Sequence, residues 1–237
     1  MEITIHRGTK EIGGSLIELS SKNTRILIDA GLPLASDNKL AKDNFYIKDL
    51  INRINSRIDA VLISHAHLDH YGLIQNIRNI PVFLSKGTMK LIELSGLFSM
   101  GPSLLNNFQL FSMYKPFLIG NLRIMPFLMD HSAFDAAAFE ISDGSRTIIY
   151  TGDFRGHGRK SKSFERFLNK ARKNIDALLI EGTLLERPEN KVLTEEELEN
   201  QIVLKTINQT GPILFQTSSQ NIDRLVSFYK IALRLKK

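Results

Sequence analysis

The chain opens on short runs in which apolar and polar residues alternate. Ile3 and Ile5 are separated by polar neighbours, and Ser15-Leu16-Ile17-Glu18-Leu19 and Arg25-Ile26-Leu27-Ile28 flank the polar turn Ser21-Lys22-Asn23-Thr24. Period-two alternation with a turn between runs predicts strands, so residues 2–29 read as three of them. Gly13-Gly14 marks a tight bend or a close backbone approach. Over 33–59 a loop gives way to helical spacing: Ile47, Leu50, Ile51 and Ile54 recur on one face, with Lys48, Asp49, Asn52 and Arg53 on the other.

Further on, short β-rich runs alternate with helical ones. Ala60-Val61-Leu62-Ile63-Ser64 and Pro81-Val82-Phe83-Leu84-Ser85 read as buried strands. Residues 71–77 and 87–99 read as helices, the second with Met89, Ile92 and Leu97 on its apolar side. Residues 100–120, with Gly101-Pro102, Lys115-Pro116 and scattered aromatics, are expected to be irregular. Phe108, Phe111, Tyr114 and Phe117 either fill a core or line a channel on which bases stack. Strands follow at 122–127, 136–141, 146–150 and 175–180, with a helix capped by Ser163 carrying Phe164, Phe167, Leu168 and Ala171. Thr194-Glu195-Glu196-Glu197 is a capping-box pattern that opens a helix to about Asn208. Gly211-Pro212 ends it, Ile213-Leu214-Phe215 reads as a strand, and 221–235 as a last helix with Ile222, Leu225, Val226, Tyr229 and Leu233 in one stripe.

Composition narrows the chemistry. The 237 residues are 43% hydrophobic, enough for one large domain or one domain and part of another. No run nears the ~18 consecutive apolar residues of a membrane span, and the start lacks a signal peptide's apolar centre. Cysteine is absent, which excludes disulfides and thiolate ligation and leaves histidine and carboxylate as metal ligands. A cytoplasmic location is the default expectation. The net charge of +6 is compatible with a polyanionic partner without requiring one.

The densest chemistry lies at His65-Ala66-His67-Leu68-Asp69-His70, between a buried strand and a short helix. Open α/β sheets place their sites at such strand ends. In extended chain i and i+2 point the same way, so His65 and His67 can hold one ion together. Asp69 and His70 follow the turn and face a second ion close by. Two ions roughly 3.5–4 Å apart can clamp both oxygens of an in-line displacement.

His-x-His-x-Asp-His followed by Gly72 resembles the metal motif of the metallo-β-lactamase superfamily, and the resemblance is nearest to its β-CASP nucleases, especially the ribonuclease J-like proteins. It implies a four-layer αββα sandwich over residues 1–187 and the opening of an α/β insert over 188–237. It assigns His131, in Leu128-Met129-Asp130-His131-Ser132, as the third histidine of a site with His65 and His67, leaving a position open for water. It assigns Asp153, in Gly152-Asp153-Phe154-Arg155, as a carboxylate bridging two ions, and Asp29, at the end of the third strand, as a supporting group that orients the metal loop. His157 is read as a loop residue. Glu181-Gly182-Thr183 resembles the first motif peculiar to the β-CASP branch, and Glu181 is implied as an acid, a proton shuttle or an orienter of a metal-bound Asp or His, with Asp69 the other catalytic carboxylate. Arg155, Arg159 and Lys160 form a basic run suited to the phosphates of a substrate. The implied cofactor is a pair of zinc ions, with manganese as the second choice, and the implied reaction is phosphodiester hydrolysis of RNA, or of DNA, by a metal-bound hydroxide.

One departure stands out. No histidine follows His157, whereas complete superfamily members supply a further one to the second ion. The expectation is therefore a front portion of a longer protein with an incomplete second site, and self-association through apolar surface left by the cut-off insert. Two rival readings stay open: a small-molecule metallohydrolase acting on a lactone or thioester, and a metal-binding fragment without turnover.

Overall fold

The computed structural model describes residues 1–34, 45–55, 57–77, 79–98, 107–185 and 192–237. Two sheets lie face to face. The first holds β1 (Glu2–Arg7), β2 (Leu16–Ser21), β3 (Thr24–Ala30), β4 (Ala60–Leu62), β5 (Val82–Ser85) and β6 (Phe108–Phe111) in that order. β1, β2 and β3 pair antiparallel, and β3 through β6 run parallel. The second runs from β7 (Phe117–Ile119) through β8 (Leu122–Leu128), β9 (Ala137–Ser142) and β10 (Thr147–Tyr150) to β11 (Ala177–Leu179), antiparallel except where β10 meets β11.

Strand periodicity builds the layers. Alternate residues of a strand face opposite sides, so on β3 Ile26 and Ile28 point into the space between the sheets while Leu27 points out to the helices. The inner core joins Ile26, Ile28 and Leu62 of the first sheet to Ile124, Phe139, Ile141 and Ile148 of the second. Outside the first sheet, α1 (Phe45–Asn55) packs Leu50, Ile51 and Ile54, and α3 (Lys86–Phe98) packs Ile92. Outside the second, α4 (Ser161–Lys170) inserts Phe167 against Phe127, Ala138 and Ile149. The order is helix, sheet, sheet, helix. A short helix, α2 (Leu68–Tyr71), follows β4. α5 (Glu195–Thr206) and α6 (Ile222–Leu235) complete the described chain and pack on each other. Phe139 sits at the centre of the inner core with no exposure. Phe139→Ala is expected to cost roughly 3–5 kcal/mol in a urea titration, from lost burial and the cavity left behind.

Several expectations need correction. Residues 107–120 are ordered: β6 and β7 add an edge strand to each sheet, while the predicted Gly101-Pro102 bend lies outside the described residues. The aromatics there are packing groups. Phe117 stacks between Phe83 and Phe111, Phe108 packs on the outer core, and Tyr114 meets Phe127 edge-on. α4 starts at Ser161 with Lys160 at its cap position, so Ser163 lies inside the first turn, its N–H donating to the Lys160 carbonyl at 2.7 Å. Ile213-Leu214-Phe215 forms no strand: an isolated apolar run gains ladder bonds only beside a partner, and Leu214 is 92% exposed.

The helix stripes differ too. Leu97 of α3 faces solvent. On α6 the exposed side carries Tyr229 and Leu233, while Asp223, Ser227 and Ile231 are buried; on α5 the buried set is Glu195, Glu199 and Val203. The two C-terminal helices thus turn acidic faces inward. The capping box at Thr194 is formed, its hydroxyl accepting from the Glu197 N–H and the Glu197 carboxylate accepting from the Thr194 N–H. Among the described residues no helix is long and apolar enough to cross a membrane.

Candidate metal centre

The site forms where the C-terminal ends of β3, β4, β8, β10 and β11 meet at one end of the two sheets. The Ala137 N–H donates to the Ser64 carbonyl at 3.0 Å and joins the sheets there. The metal loop is held from below by main chain. Ser15 N–H donates to the Asp69 carbonyl at 3.1 Å, and Leu32 N–H donates to the Leu68 carbonyl at 2.9 Å. Gly31 passes so close that a β-carbon there would lie 1.7 Å from the Asp69 carbonyl oxygen. Gly13, at φ +77°, crosses directly over the Asp69 side chain, so the paired glycines mark a close approach to the metal loop.

Two groups of ligand atoms converge. His65, His67 and His131 form one; His65, His70 and Asp153 form the other; in each, the donor atoms lie within 4.8 Å of one another. His67 Nδ1 stands 3.1 Å from His65 Nε2 and 3.1 Å from His131 Nε2. Tetrahedral zinc, with bonds of about 2.0–2.1 Å, sets its ligand nitrogens roughly 3.3 Å apart. The residue common to both groups is His65; Asp153 belongs to the second alone. His70 Nε2 is 3.3 Å from Asp153 Oδ1 and 3.7 Å from Asp69 Oδ2. Asp69 thus lies beside the second group without joining it, and His157 is in neither.

Hydrogen bonds orient the rings of His65, His67 and His70. Asp29, fully buried, accepts from Ser64 N–H (2.7 Å), Ser64 Oγ (2.7 Å), His70 Nδ1 (2.7 Å) and Tyr150 Oη (2.6 Å). Ser64 Oγ gives its proton to Asp29, so it accepts from His65 Nδ1 at 3.0 Å. His65 Nε2 is then a free lone pair turned toward the ligand groups, while His70 holds Asp29 with Nδ1 and turns Nε2 toward Asp153 and Asp69. The His67 ring also hydrogen-bonds the Gln220 backbone. This is how proteins aim metal-binding imidazoles: the second nitrogen is anchored to a carboxylate, hydroxyl or carbonyl.

The electrostatics agree. Burial, reinforced by the neighbouring imidazoles, holds His65 well below the ordinary histidine range and brings His131 down to about 3. Burial also lowers His67, with Asp69 opposing. These rings are neutral donors at pH 7. Burial acts on His70 in the same direction, but the carboxylates of Asp29 and Asp153 outweigh it and raise its pKa well above the usual value. An Nε2 beside two carboxylates is a donor set made for a cation. Burial raises Asp153, yet its bond to His70 and the nearby rings bring it below its ordinary value. Glu181 is raised by burial. Its Oε1 accepts from Phe154 N–H at 2.6 Å and its Oε2 from Thr183 Oγ1 at 2.7 Å, which ties it to the loop after Asp153.

The basic run is placed otherwise than expected. Arg155 pairs with Asp223 at 2.5 Å, Arg159 with Glu199 at 2.5 Å, and Lys160 with Asp223 at 2.8 Å. The side chains of all three cations are 17% exposed and their carboxylate partners lie on α5 and α6, so they join the C-terminal helices to the sandwich and present no open phosphate grip. Other residues carry weight that sequence reading missed. Ser64 and Tyr150 complete the Asp29 network. Asp130, fully buried, accepts from Gly158 N–H at 2.7 Å and Lys160 N–H at 3.0 Å beside His131. For Asp130 a signal existed, a carboxylate inside an apolar strand end next to a candidate ligand.

Comparison with known proteins agrees with this geometry. The family model described as Beta-lactamase superfamily domain matches residues 24–211. Ribonuclease J of Mycoplasma genitalium is 24% identical over 97% of this chain, which spans 42% of that protein's length. The transcription termination factor FttA of Methanosarcina mazei is 39% identical over 31% of this chain and 11% of its own. A crystal structure of a protein of unknown function from Enterococcus faecalis superposes with a TM-score of 0.80 at 24% identity, covering 98% of this chain and 62% of that one. The chain belongs to the metallo-β-lactamase superfamily, and within it is similar to ribonuclease J and FttA proteins over part of their length.

Proposed function

We propose that this chain carries the metal-dependent hydrolytic centre of a phosphodiesterase acting on RNA. The observation that carries the reading is the convergence of His65 Nε2, His67 Nδ1 and His131 Nε2 as neutral donors about one point. His65, His67 and His131 would hold one divalent ion, and His70, Asp153 and His65 or Asp69 a second. Zinc suits this imidazole and carboxylate set, and manganese is the alternative. Such an ion supplies a water acidified toward neutral pH and positive charge for the transition state.

The chain's own groups do the rest. Asp29 fixes the His70 tautomer, and the Ser64 hydroxyl fixes that of His65. In hydrolysis a water oxygen bonds phosphorus while the ester P–O bond opposite breaks. Asp69 is the carboxylate assigned to take the water's proton. Glu181, raised by burial beside Asp153, is assigned to return one to the leaving oxygen. RNA as the substrate rests on the ribonuclease J likeness and on the +6 net charge.

A second reading has its own observation. Among the described residues the second ligand group is His65, His70 and Asp153, and it shares His65 with the first. Such a set can hold an ion without turning a substrate over. The test is cleavage of a labelled RNA by zinc-loaded protein, beside His67→Ala and beside lactone and thioester substrates. The nuclease reading expects RNA cleavage reduced on the order of a hundredfold or more by His67→Ala. Equal cleavage by wild type and variant would identify a contaminant and overturn it. Bound zinc with no turnover on any substrate would establish the second reading, and ester hydrolysis without RNA cleavage would move the chain to the small-molecule hydrolases.

A further inference from the structure

The inward faces of α5 and α6 are acidic, and they seat on the two loops that bring His131 and Asp153 to the centre. Asp223 is the junction. Its side chain is 6% exposed, with Oδ2 at 2.5 Å from Arg155 Nη2 and Oδ1 at 2.8 Å from Lys160 Nζ. Its N–H lies 3.4 Å from the Ser132 carbonyl. Lys160 Nζ in turn donates to the His131 carbonyl at 2.9 Å, and Arg155 N–H donates to the Asp130 carbonyl at 2.7 Å. One carboxylate therefore joins α6 to main chain on both sides of His131 and to the residue two places after Asp153. Three residues before Asp223, the Gln220 backbone hydrogen-bonds the His67 ring.

We propose that Asp223 is a positioning residue of the metal centre: by binding Arg155 and Lys160 it fixes the His131 and Asp153 loops in ligating register and holds Gln220 against His67. The inference rests on the metal-centre reading above and goes beyond it. The ligands come from the sandwich, but their aim is completed by the helix pair. A buried carboxylate shared by two cations is costly to assemble and strongly felt when removed. Arg155 would keep only Glu195, at 3.7 Å, Lys160 would lose the carboxylate it binds at 2.8 Å, and both loops would be free to shift. Sub-ångström displacement of a ligand is enough to weaken a metal.

The test uses the full chain. Zinc affinity is measured by competition with a chromophoric chelator, and cobalt-loaded protein is compared by its visible absorption, which reports ligand geometry. Asp223→Asn is expected to lose about 10- to 100-fold in zinc affinity and to change the cobalt spectrum. Asp223→Glu, which keeps the charge, is expected to recover most of both. Glu199→Gln breaks the Arg159 pair in the same interface while keeping the Asp223 bonds to Arg155 and Lys160, and is expected to leave affinity and spectrum at wild-type values. Wild-type affinity and spectrum in Asp223→Asn would overturn the proposal, as would an equal loss in Glu199→Gln, which would make any weakening of the interface sufficient. Should Asp223→Asn fail to fold, Lys160→Gln carries the test, with about a tenfold loss expected and wild-type affinity overturning it. Failure of the wild-type protein to bind zinc or cobalt at all would instead strike the metal-centre reading itself.

Discussion

Removing divalent metal with a chelator is expected to lower the melting temperature of this chain by roughly 8–16 °C relative to protein in saturating zinc. Ligand present at about a thousand times its dissociation constant stabilises the folded state by about 4.1 kcal/mol. For a domain of 150–250 residues each kcal/mol moves the midpoint by about 2–4 °C. Three neutral imidazoles converge on one point from the metal loop and the strand end of the opposite sheet, so an ion bound there crosslinks the two sheets. Unfolded chain has no such set, and the binding free energy therefore becomes folding free energy. The zinc-dependent part of the shift should vanish in His67→Ala, which removes the nitrogen that faces both other rings. A midpoint that moves by less than about 2 °C between chelator and saturating zinc would mean that no ion is held by both sheets.

The sandwich was readable because its strands carry their burial in their composition. β3, β4, β9 and β10 are buried on both faces, and such strands are near-continuous apolar runs. The metal loop was readable because four potential ligands, three histidines and an aspartate, fall within six positions directly after a buried strand. What the sequence hid depends on distant partners. β6 exists because β5 offers it a parallel edge, not because Phe-Gln-Leu-Phe announces a strand. The basic run at 155–160 looked like a grip for phosphate because the carboxylates that neutralise it lie 35 or more residues further on, and no local rule connects them. The apolar stripe of α6 pointed to the wrong buried face for the same reason. Asp223 and Ser227 outcompete it because the surface beneath is cationic, and a carboxylate matched to two cations gains more there than Tyr229 or Leu233 would.

Asp29→Ala is expected to cost about 3–5 kcal/mol in chelator-treated protein, a large share of the stability of a domain this size. Asp29 is at the end of β3 with φ +59°, a conformation that aspartate tolerates better than most side chains. From there it receives a main-chain N–H, a serine hydroxyl, an imidazole and a phenol, all buried. Alanine leaves each without an acceptor, and it leaves His70 without the carboxylate that favours its charged form. Working without metal separates this loss from any change in zinc affinity. The pairing with His70 is isolated by a double-mutant cycle with His70→Ala, in which a coupling of roughly 1–3 kcal/mol is expected because the two groups share one buried network. A single-mutant cost below about 1 kcal/mol, or a coupling within about 0.5 kcal/mol of zero, would show that the network under the metal loop does not hold the fold together. Its role would then be confined to fixing the His65 and His70 tautomers, and the same variant would register only as weakened metal binding.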